Sequence, residues 1–120
     1  EDEASIRALF STIDIIVSPS LQESFGQVLT EAMSCETAAV GFKYSATEEI
    51  IIHKENGFLA EYRSATSLAH GIKYCIESDL KKIQKRARSS IVERYSYPIV
   101  ARMAQEIYAS SKSAGKFSCV

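Results

Sequence analysis

The segment Ile13-Asp-Ile-Ile-Val17 constrains the fold of this chain more than any other feature. It is an almost continuous run of β-branched apolar residues, and Ser18-Pro19-Ser20 follows it. Such a run is typical of a strand buried on both faces in a parallel sheet, and Pro19 lacks the amide that would extend the strand. Parallel strands need crossover connections, so the chain is expected to alternate strands with helices.

The remaining apolar periodicity predicts those helices and two further strands. Strands are predicted over 13–17, 38–42 and 58–60, the last after an Asn56-Gly57 turn. Helices are predicted over 4–10, 25–33, 48–52, 68–76, 80–95 and 98–108. The helical side chains predicted to face inward are Ile6, Leu9, Phe10, Phe25, Val28, Leu29, Ala32, Met33, Leu68, Ala69, Ile72, Cys75, Ile76, Leu80, Ile83, Ala87, Ile91 and Tyr95. The last helix carries its apolar residues on one side, and these are Ile99, Val100, Met103, Ala104, Ile107 and Tyr108. Right-handed crossovers then give an α/β fold, with a short parallel sheet of about three strands and a helical C-terminal region.

Length and composition fit one domain over residues 1–120. A content of 46% hydrophobic and 24% charged residues excludes general disorder and collagen-like sequence. No apolar run reaches the ~20 residues of a membrane-spanning helix, and the acidic start lacks the pattern of a signal peptide, so a cytoplasmic protein is expected. The small and polar residues 110–120 are expected to form a loose tail.

The charge pattern argues against a nucleic-acid partner. Fourteen Lys and Arg against fifteen Asp and Glu give a net charge of −1, which is too near neutral for a dedicated nucleic-acid binder. The solvated face of a helix is the favoured interpretation of one basic cluster, and an anionic membrane surface or polyanion is the alternative. That cluster is Lys81, Lys82, Lys85, Arg86 and Arg88.

Cysteine and histidine predict neither a disulfide framework nor a metal site. Cys35, Cys75 and Cys119 are odd in number and far apart, which suits a reducing compartment. His53 and His70 have no partners at metal-ligand spacing, so no metal is expected.

The connection between the first strand and the second helix is the predicted ligand site. In open α/β sheets, ligands bind beyond the carboxyl ends of the strands. Ser24 followed by Gln27 fits a capping box that would begin the helix near Phe25. Amides of Gly26, Gln27 and Val28 would then point at an anion, and Gly26 would allow its close approach. A helix end that binds only water is the structural alternative.

Two carboxylates flank this helix start. Glu23 lies just before it, and Glu31 lies eight residues further on, away from the apolar face. Carboxylates accept hydrogen bonds from sugar hydroxyls, so hydroxyls on either side of a bound phosphate would find acceptors. The alternatives are a solvated Glu31 and a Glu23 that only stabilises the helix dipole.

The stretch Ser18-Pro-Ser-Leu-Gln-Glu-Ser-Phe-Gly-Gln-Val-Leu-Thr-Glu-Ala-Met-Ser-Cys35 resembles the E-x7-E signature of glycosyltransferase family 4, retaining enzymes of the GT-B fold. The similarity continues through Ala38–Phe42, Glu49–Ile51 and Asn56–Leu59, and covers roughly residues 5–110. It implies a partial, Rossmann-like GT-B C-terminal domain, the part that binds a nucleotide-sugar donor.

The resemblance also implies a role for each site residue. Glu31 would hold the ribose hydroxyls of a nucleoside-diphosphate sugar, and Glu23, the catalytic candidate, would lie near the hydroxyls of the donor sugar. The Phe25-Gly26 backbone would approach the sugar, and the Gln27-Val28 amides would meet the diphosphate. Donor binding would need no metal or other cofactor. The chain departs from the family pattern where Glu36 and Ser45-Ala46 replace glycines and Glu48 replaces a proline.

The resemblance finally implies a hexosyltransferase of polysaccharide or glycoconjugate biosynthesis, of which this chain is one part. An N-terminal acceptor-binding domain, and an Arg and a Lys that clamp the diphosphate, have no counterpart in these 120 residues, so transfer by the chain alone is not expected. Peripheral membrane association of the complete enzyme stays open. The alternative is a non-catalytic α/β module that self-associates through the exposed edge of its first strand.

Overall fold

A computed structural model describes residues 3–21, 26–95, 101–107 and 109 of the chain. Its elements are α1 (Glu3–Thr12), β1 (Ile15–Ser18), α2 (Gln27–Ser34), β2 (Ala38–Phe42), α3 (Ser45–Ile50), β3 (Gly57–Ala60), α4 (Ala65–Glu77) and α5 (Leu80–Tyr95). Residues 101–107 are also helical. The predicted α/β fold is confirmed. The predicted tail over 110–120 and the two ends of the helix predicted over 98–108 lie outside the described residues.

The described strands form one three-stranded parallel sheet in the order β1-β2-β3. Ile16 pairs with Ala39, and Val40 pairs with Phe58. All five residues of β2 are buried, because this strand lies in the middle and is covered on both faces. Within the described part of the chain, β1 is an edge strand, as the resemblance implies.

Helices cover both faces of the sheet and bury two apolar clusters. On one face, Leu29 and Met33 of α2 pack with α3, α5 and Ala39. On the other face, Cys75 of α4 packs with the start of α5 and with Val40. Alternate residues of β2 therefore serve opposite layers, as the pleat requires. Full burial of a side chain the size of Leu29 contributes about 1.5–3 kcal/mol to stability.

The prediction that the first strand is buried on both faces is wrong. The strand begins at Ile15 instead of Ile13, and its residues are only partly buried. Val17 is 37% exposed. The physical reason is its place at the edge of the described sheet, where β2 lies on one side only.

Several helical side chains predicted to face inward are exposed instead. On α4, the inner stripe runs through Leu68, Gly71 and Cys75, so Ile76, one residue past the stripe, is 61% exposed. Gly71 lets α4 approach β3 closely, because a Cβ there would lie 2.6 Å from Phe58 Cδ1. The other described side chains whose predicted burial is wrong are Leu9, Val28, Ala69 and Tyr95.

The short helix α3 begins earlier than predicted. It starts at Ser45 and ends at Ile50, whereas the apolar pattern predicts a helix over 48–52. Ser45 itself has a φ of 57°. This position, where the family pattern has glycine, therefore takes the left-handed backbone that glycine adopts most easily.

The turn before β3 is built around a buried asparagine. The Oδ1 atom of Asn56 accepts a hydrogen bond from the Ile52 amide at 2.8 Å, and its Nδ2 atom donates to Ser90 Oγ on α5 at 2.9 Å. The predicted Asn56-Gly57 signal thus marks a turn. Its Asn56 side chain also connects the loop to α5.

Candidate functional site

The carboxyl ends of the three described strands lie at the same end of the sheet, and the start of α2 lies beyond the end of β1. Four of the six predicted site residues are described, and they lie at or within α2. They are Gly26, Gln27, Val28 and Glu31. The other two, Glu23 and Phe25, lie outside the described residues.

Gly26 precedes α2 in a backbone conformation that favours glycine. Its φ is 62° and its ψ is 33°, and its carbonyl accepts a hydrogen bond from the Thr30 amide at 2.9 Å. A Cβ at this position would lie 2.1 Å from Ile50 Cδ1. The left-handed φ therefore favours glycine here, and a Cβ would also require the Ile50 side chain to move.

The start of α2 differs from the predicted capping box. The helix begins at Gln27, and its N-cap residue, Gly26, makes no side-chain hydrogen bond to the first turn. Ser24, the predicted cap, lies outside the described residues. The helix begins about two residues later than predicted, because Gly26 has a left-handed backbone and lies outside the helical turn.

The first turn of α2 faces solvent. Gln27 and Val28 are exposed, with Val28 at 56%. The first amides of a helix have no acceptor within the helix, and they carry the positive end of its dipole. Among the described residues, Gln27 and Val28 therefore leave their side of this turn accessible to solvent.

Glu31 lines a groove of about 410 Å³ between α2 and α5. One wall consists of polar side chains at helical spacing on α2, and the other consists of apolar and aromatic side chains on α5. The lining residues are Gln27, Thr30, Glu31, Ser34, Ile91, Val92 and Tyr95. A carboxylate and an amide opposite an aromatic ring suit a ligand that carries several hydroxyl groups.

The helical periodicity predicts that Tyr95 is buried, but its side chain is 39% exposed and lines this groove. The apolar stripe of α5 that is buried ends at Ile91. Arg94 explains the orientation in part, since its guanidinium donates to the Tyr95 hydroxyl at 3.1 Å and to the Ile50 carbonyl at 3.4 Å. Tyr95 is a tyrosine at the end of the apolar stripe of α5, and this position is the signal that could have identified it as a groove residue.

An aromatic cluster lies at the same end of the sheet and was not predicted from the sequence. The rings of Tyr44 and Tyr62 stack at 4.4 Å, and Phe42 meets Tyr62 edge-on at 5.9 Å. Phe42 pairs with Ala60 in the sheet. Tyr44 and Tyr62 each follow their paired strand end by two residues, and this equal offset is the signal in the sequence.

Within the part of the chain that the structure describes, the titrating groups with shifted pKa values lie away from α2. Burial, followed by the charges of Lys54 and Lys43, lowers the pKa of His53, whose Nδ1 atom accepts a hydrogen bond from the Leu59 amide at 3.0 Å. Burial raises the pKa of the Cys75 thiol. Neither group belongs to the groove or to the start of α2.

Among the residues that the structure describes, no three His, Cys, Asp or Glu side chains are grouped so that they could hold a metal ion. The same residues include no helix that is long and apolar enough to cross a membrane. The five basic residues between 81 and 88 are all exposed on α5. Their favoured interpretation as a solvated helix face agrees with this exposure.

A family model described as "Glycosyl transferases group 1" matches residues 1–91. N-acetyl-alpha-D-glucosaminyl L-malate synthase of Bacillus anthracis is 29% identical over 106 residues, which cover 87% of this chain and 28% of that protein. The chain therefore spans less than a third of the length of this curated relative.

Solved structures with the same fold include Anabaena Alr3699/HepE in complex with UDP and glucose, and the same protein with UDP-glucose. The first of these is 30% identical with a TM-score of 0.77, over 89% of this chain and 30% of that one. The C-terminal domain of a glycosyl transferase group 1 family protein (LpcC) from Francisella tularensis is 32% identical, with a TM-score of 0.71. That match covers 80% of this chain and 50% of the other.

Proposed function

The chain belongs to the group 1 glycosyl transferases, which have the GT-B fold, and from that premise we propose that it binds the nucleoside-diphosphate sugar of a retaining transferase. The observation that carries the proposal is the position of Glu31 in the groove beside the solvent-facing start of α2. This groove offers a carboxylate for hydroxyl groups next to amides suited to phosphate. The UDP-glucose complex of the Anabaena protein supports a donor of this class.

In this proposal each part of the donor meets a different part of the site. Glu31 accepts hydrogen bonds from the ribose hydroxyls, and the Gln27-Val28 amides meet the diphosphate. Gly26 leaves room for the donor, because it has no side chain. Glu23 and Phe25, which lie outside the described residues, are assigned to the donor sugar.

The amides and the dipole of α2 would assist departure of the nucleoside diphosphate. Negative charge develops on the diphosphate as its bond to the sugar breaks, and donors already oriented toward that charge stabilise it. The side chains and amides so assigned act without a metal or other cofactor. The sugar would pass to its acceptor with retention at the anomeric carbon.

Transfer is proposed to need groups beyond these 120 residues. The chain corresponds to 28% of its Bacillus anthracis relative, and the diphosphate needs cations opposite the amides of α2. Donor binding without transfer is therefore the activity expected of the chain alone. The complete enzyme would act in the cytoplasm on a polysaccharide or glycoconjugate, and peripheral association with a membrane is compatible with that role.

Titration with UDP-glucose tests the proposal directly. The backbone amide resonances of Gly26, Gln27 and Val28 are followed by NMR up to millimolar ligand. Saturable shifts at these amides are expected. Unchanged resonances throughout a panel of nucleoside-diphosphate sugars would refute donor binding by this chain.

The variant Glu31→Ala tests the role of the carboxylate. It should bind UDP-glucose roughly ten- to a hundredfold more weakly, because a hydrogen bond to a charged acceptor contributes about 1.5–3 kcal/mol. Glu77→Ala is the matched control, since it removes another exposed helical carboxylate, on α4. Equal affinity of wild type and Glu31→Ala would show that the ribose is held elsewhere.

The alternative is a non-catalytic module that pairs with a second copy of itself through β1. The observation in its favour is that β1 is an edge strand of the described sheet and that Val17 is partly exposed there. Unpaired strand edges are templates for pairing with another chain.

A further inference from the structure

We propose that the Tyr95 hydroxyl binds the diphosphate of the donor from α5, opposite the first turn of α2. This inference rests on the function proposed above and assigns a role to a residue outside the E-x7-E stretch. Tyr95 and Gln27 line the same groove, from its two walls. The Tyr95 side chain is exposed to solvent.

The packing of α5 against α2 places Tyr95 level with the first turn of α2. The Arg88 guanidinium of α5 donates a hydrogen bond to the carbonyl of Ser34, the last residue of α2. Tyr95 follows Arg88 by seven residues, and Gln27 precedes Ser34 by seven. Each step covers roughly 10 Å, at the helical rise of about 1.5 Å per residue, so antiparallel helices in this register bring Tyr95 opposite Gln27. The shared groove lining agrees with that arrangement.

Arg94 holds the Tyr95 hydroxyl and connects it to the start of α2. Its guanidinium donates to the hydroxyl at 3.1 Å and to the Ile50 carbonyl at 3.4 Å. The Ile50 side chain lies against Gly26, the N-cap residue of α2. The hydroxyl is therefore held beside the helix start before a ligand binds. A group oriented in advance binds more tightly, since less conformational freedom is lost on binding.

The hydroxyl keeps its proton for a ligand. A tyrosine hydroxyl has one donor proton and two acceptor lone pairs, and the bond from Arg94 occupies a lone pair. Among the described residues, no side chain or carbonyl accepts the proton of the Tyr95 hydroxyl. A phosphate oxygen is a charged acceptor, and the guanidinium beside the hydroxyl favours negative charge at that position.

The groups that line the groove separate the place of the diphosphate from that of the ribose. Glu31 lies one helical turn beyond Gln27. Because a carboxylate only accepts hydrogen bonds and repels phosphate, its end of the groove suits the ribose hydroxyls. Tyr95 and the Gln27 amide are both donors, so their end suits the diphosphate. The diphosphate then receives hydrogen bonds from both walls of the groove.

The variant Tyr95→Phe removes the hydroxyl and keeps the ring. Tyr74→Phe is the matched control, because the Tyr74 hydroxyl donates to the Lys54 carbonyl at 3.3 Å, before the amino end of β3 and away from the groove. The affinities of both variants for UDP-glucose, UDP and uridine are measured by NMR, together with the midpoint of thermal unfolding. Uridine carries the ribose and the base without the diphosphate.

Tyr95→Phe should bind UDP-glucose and UDP roughly ten- to a hundredfold more weakly than wild type, which is the range expected for one hydrogen bond to a charged acceptor. Its affinity for uridine should equal that of wild type, because the lost bond is to the diphosphate. Tyr74→Phe should bind all three ligands as wild type does, at an unfolding midpoint similar to that of Tyr95→Phe.

Wild-type affinity of Tyr95→Phe for UDP would overturn this inference and leave the proposed function standing. An equal loss of affinity for uridine and UDP would also overturn it, since the hydroxyl would then act on the nucleoside or on the fold. If wild type binds neither UDP-glucose nor UDP, the proposed function fails and this inference fails with it.

Discussion

Replacing Glu36 by glycine should make the folded chain more stable. Glu36 follows Cys35, the C-cap residue of α2, and its backbone is left-handed, with a φ of 61°. Its amide donates to the Met33 carbonyl at 3.1 Å, while the Cys35 amide donates to Ala32 at 2.9 Å. These bonds close the last turn of α2 in the way that helices ending in a left-handed residue do. Glycine is the residue most often found there.

Three contributions set the magnitude. A left-handed backbone costs an L-residue about 1–2 kcal/mol, and glycine avoids this. Glycine also increases the conformational entropy of the unfolded chain, and this lowers the gain in stability by about 0.4–1 kcal/mol. Removal of a carboxylate beside the negative end of α2 adds about 0.3–1 kcal/mol. The free energy of unfolding should rise by about 1 kcal/mol, which corresponds to roughly 4 °C in the unfolding midpoint.

Urea and thermal unfolding followed by circular dichroism measure this change. Glu36→Ala is the control, because alanine removes the same carboxylate but keeps a Cβ. The alanine variant should be less stable than the glycine variant by about 0.5–1 kcal/mol, the difference between the first two contributions. An alanine variant as stable as the glycine variant would refute the argument from backbone strain.

Two further predictions concern His53, which precedes β3, and the edge strand β1. Burial first, and two neighbouring lysines second, lower the pKa of His53, so the unfolded chain binds a proton more readily and stability should fall as the pH drops from about 7.5 through 6.5. In urea unfolding at several pH values, His53→Asn should flatten this dependence and His70→Asn should not; equal slopes would argue against a role for His53. If the sheet-edge alternative holds, sedimentation should detect self-association that Val17→Lys weakens and Val92→Lys, also exposed, leaves intact. A wild-type monomer at all concentrations would exclude that alternative.

The parts of the fold that follow from local pattern could be predicted from the sequence. The run Ala38–Phe42 is a strand with the predicted bounds, because apolar residues covered on both faces leave a continuous signal. The stripe Ile83, Ala87 and Ile91 is buried as predicted, since these residues share one face of a long helix.

Burial was wrongly predicted for side chains whose exposure depends on whether another layer of the fold covers them. Val17 and Ile76 are apolar and lie in regular elements, yet both are exposed, because no described layer covers their side. Periodicity indicates which side chains share a face. It does not indicate how wide the covering layer is.

At the candidate site too, features within one helix could be predicted, whereas contacts between distant elements could not. The positions of Gly26 and Glu31 on α2 follow from spacing within one helix. The groove wall formed by Tyr95, and the stacked rings of Tyr44 and Tyr62, depend on elements that are distant in sequence. Only the packing of α5 on α2, and the sheet register, bring those residues to the site.

The contact between Gly26 and Ile50 ties mutational tolerance at the site to that of the core. Ile50 belongs to the apolar cluster beneath α2, and its terminal methyl occupies the space that a Cβ at position 26 would need. Substitutions at two touching residues do not have additive effects. A shorter side chain at position 50 would open a cavity directly under the first turn of α2. The effects of substitutions at positions 26 and 50 are therefore coupled, and Ile50 influences the start of α2 without lining the groove.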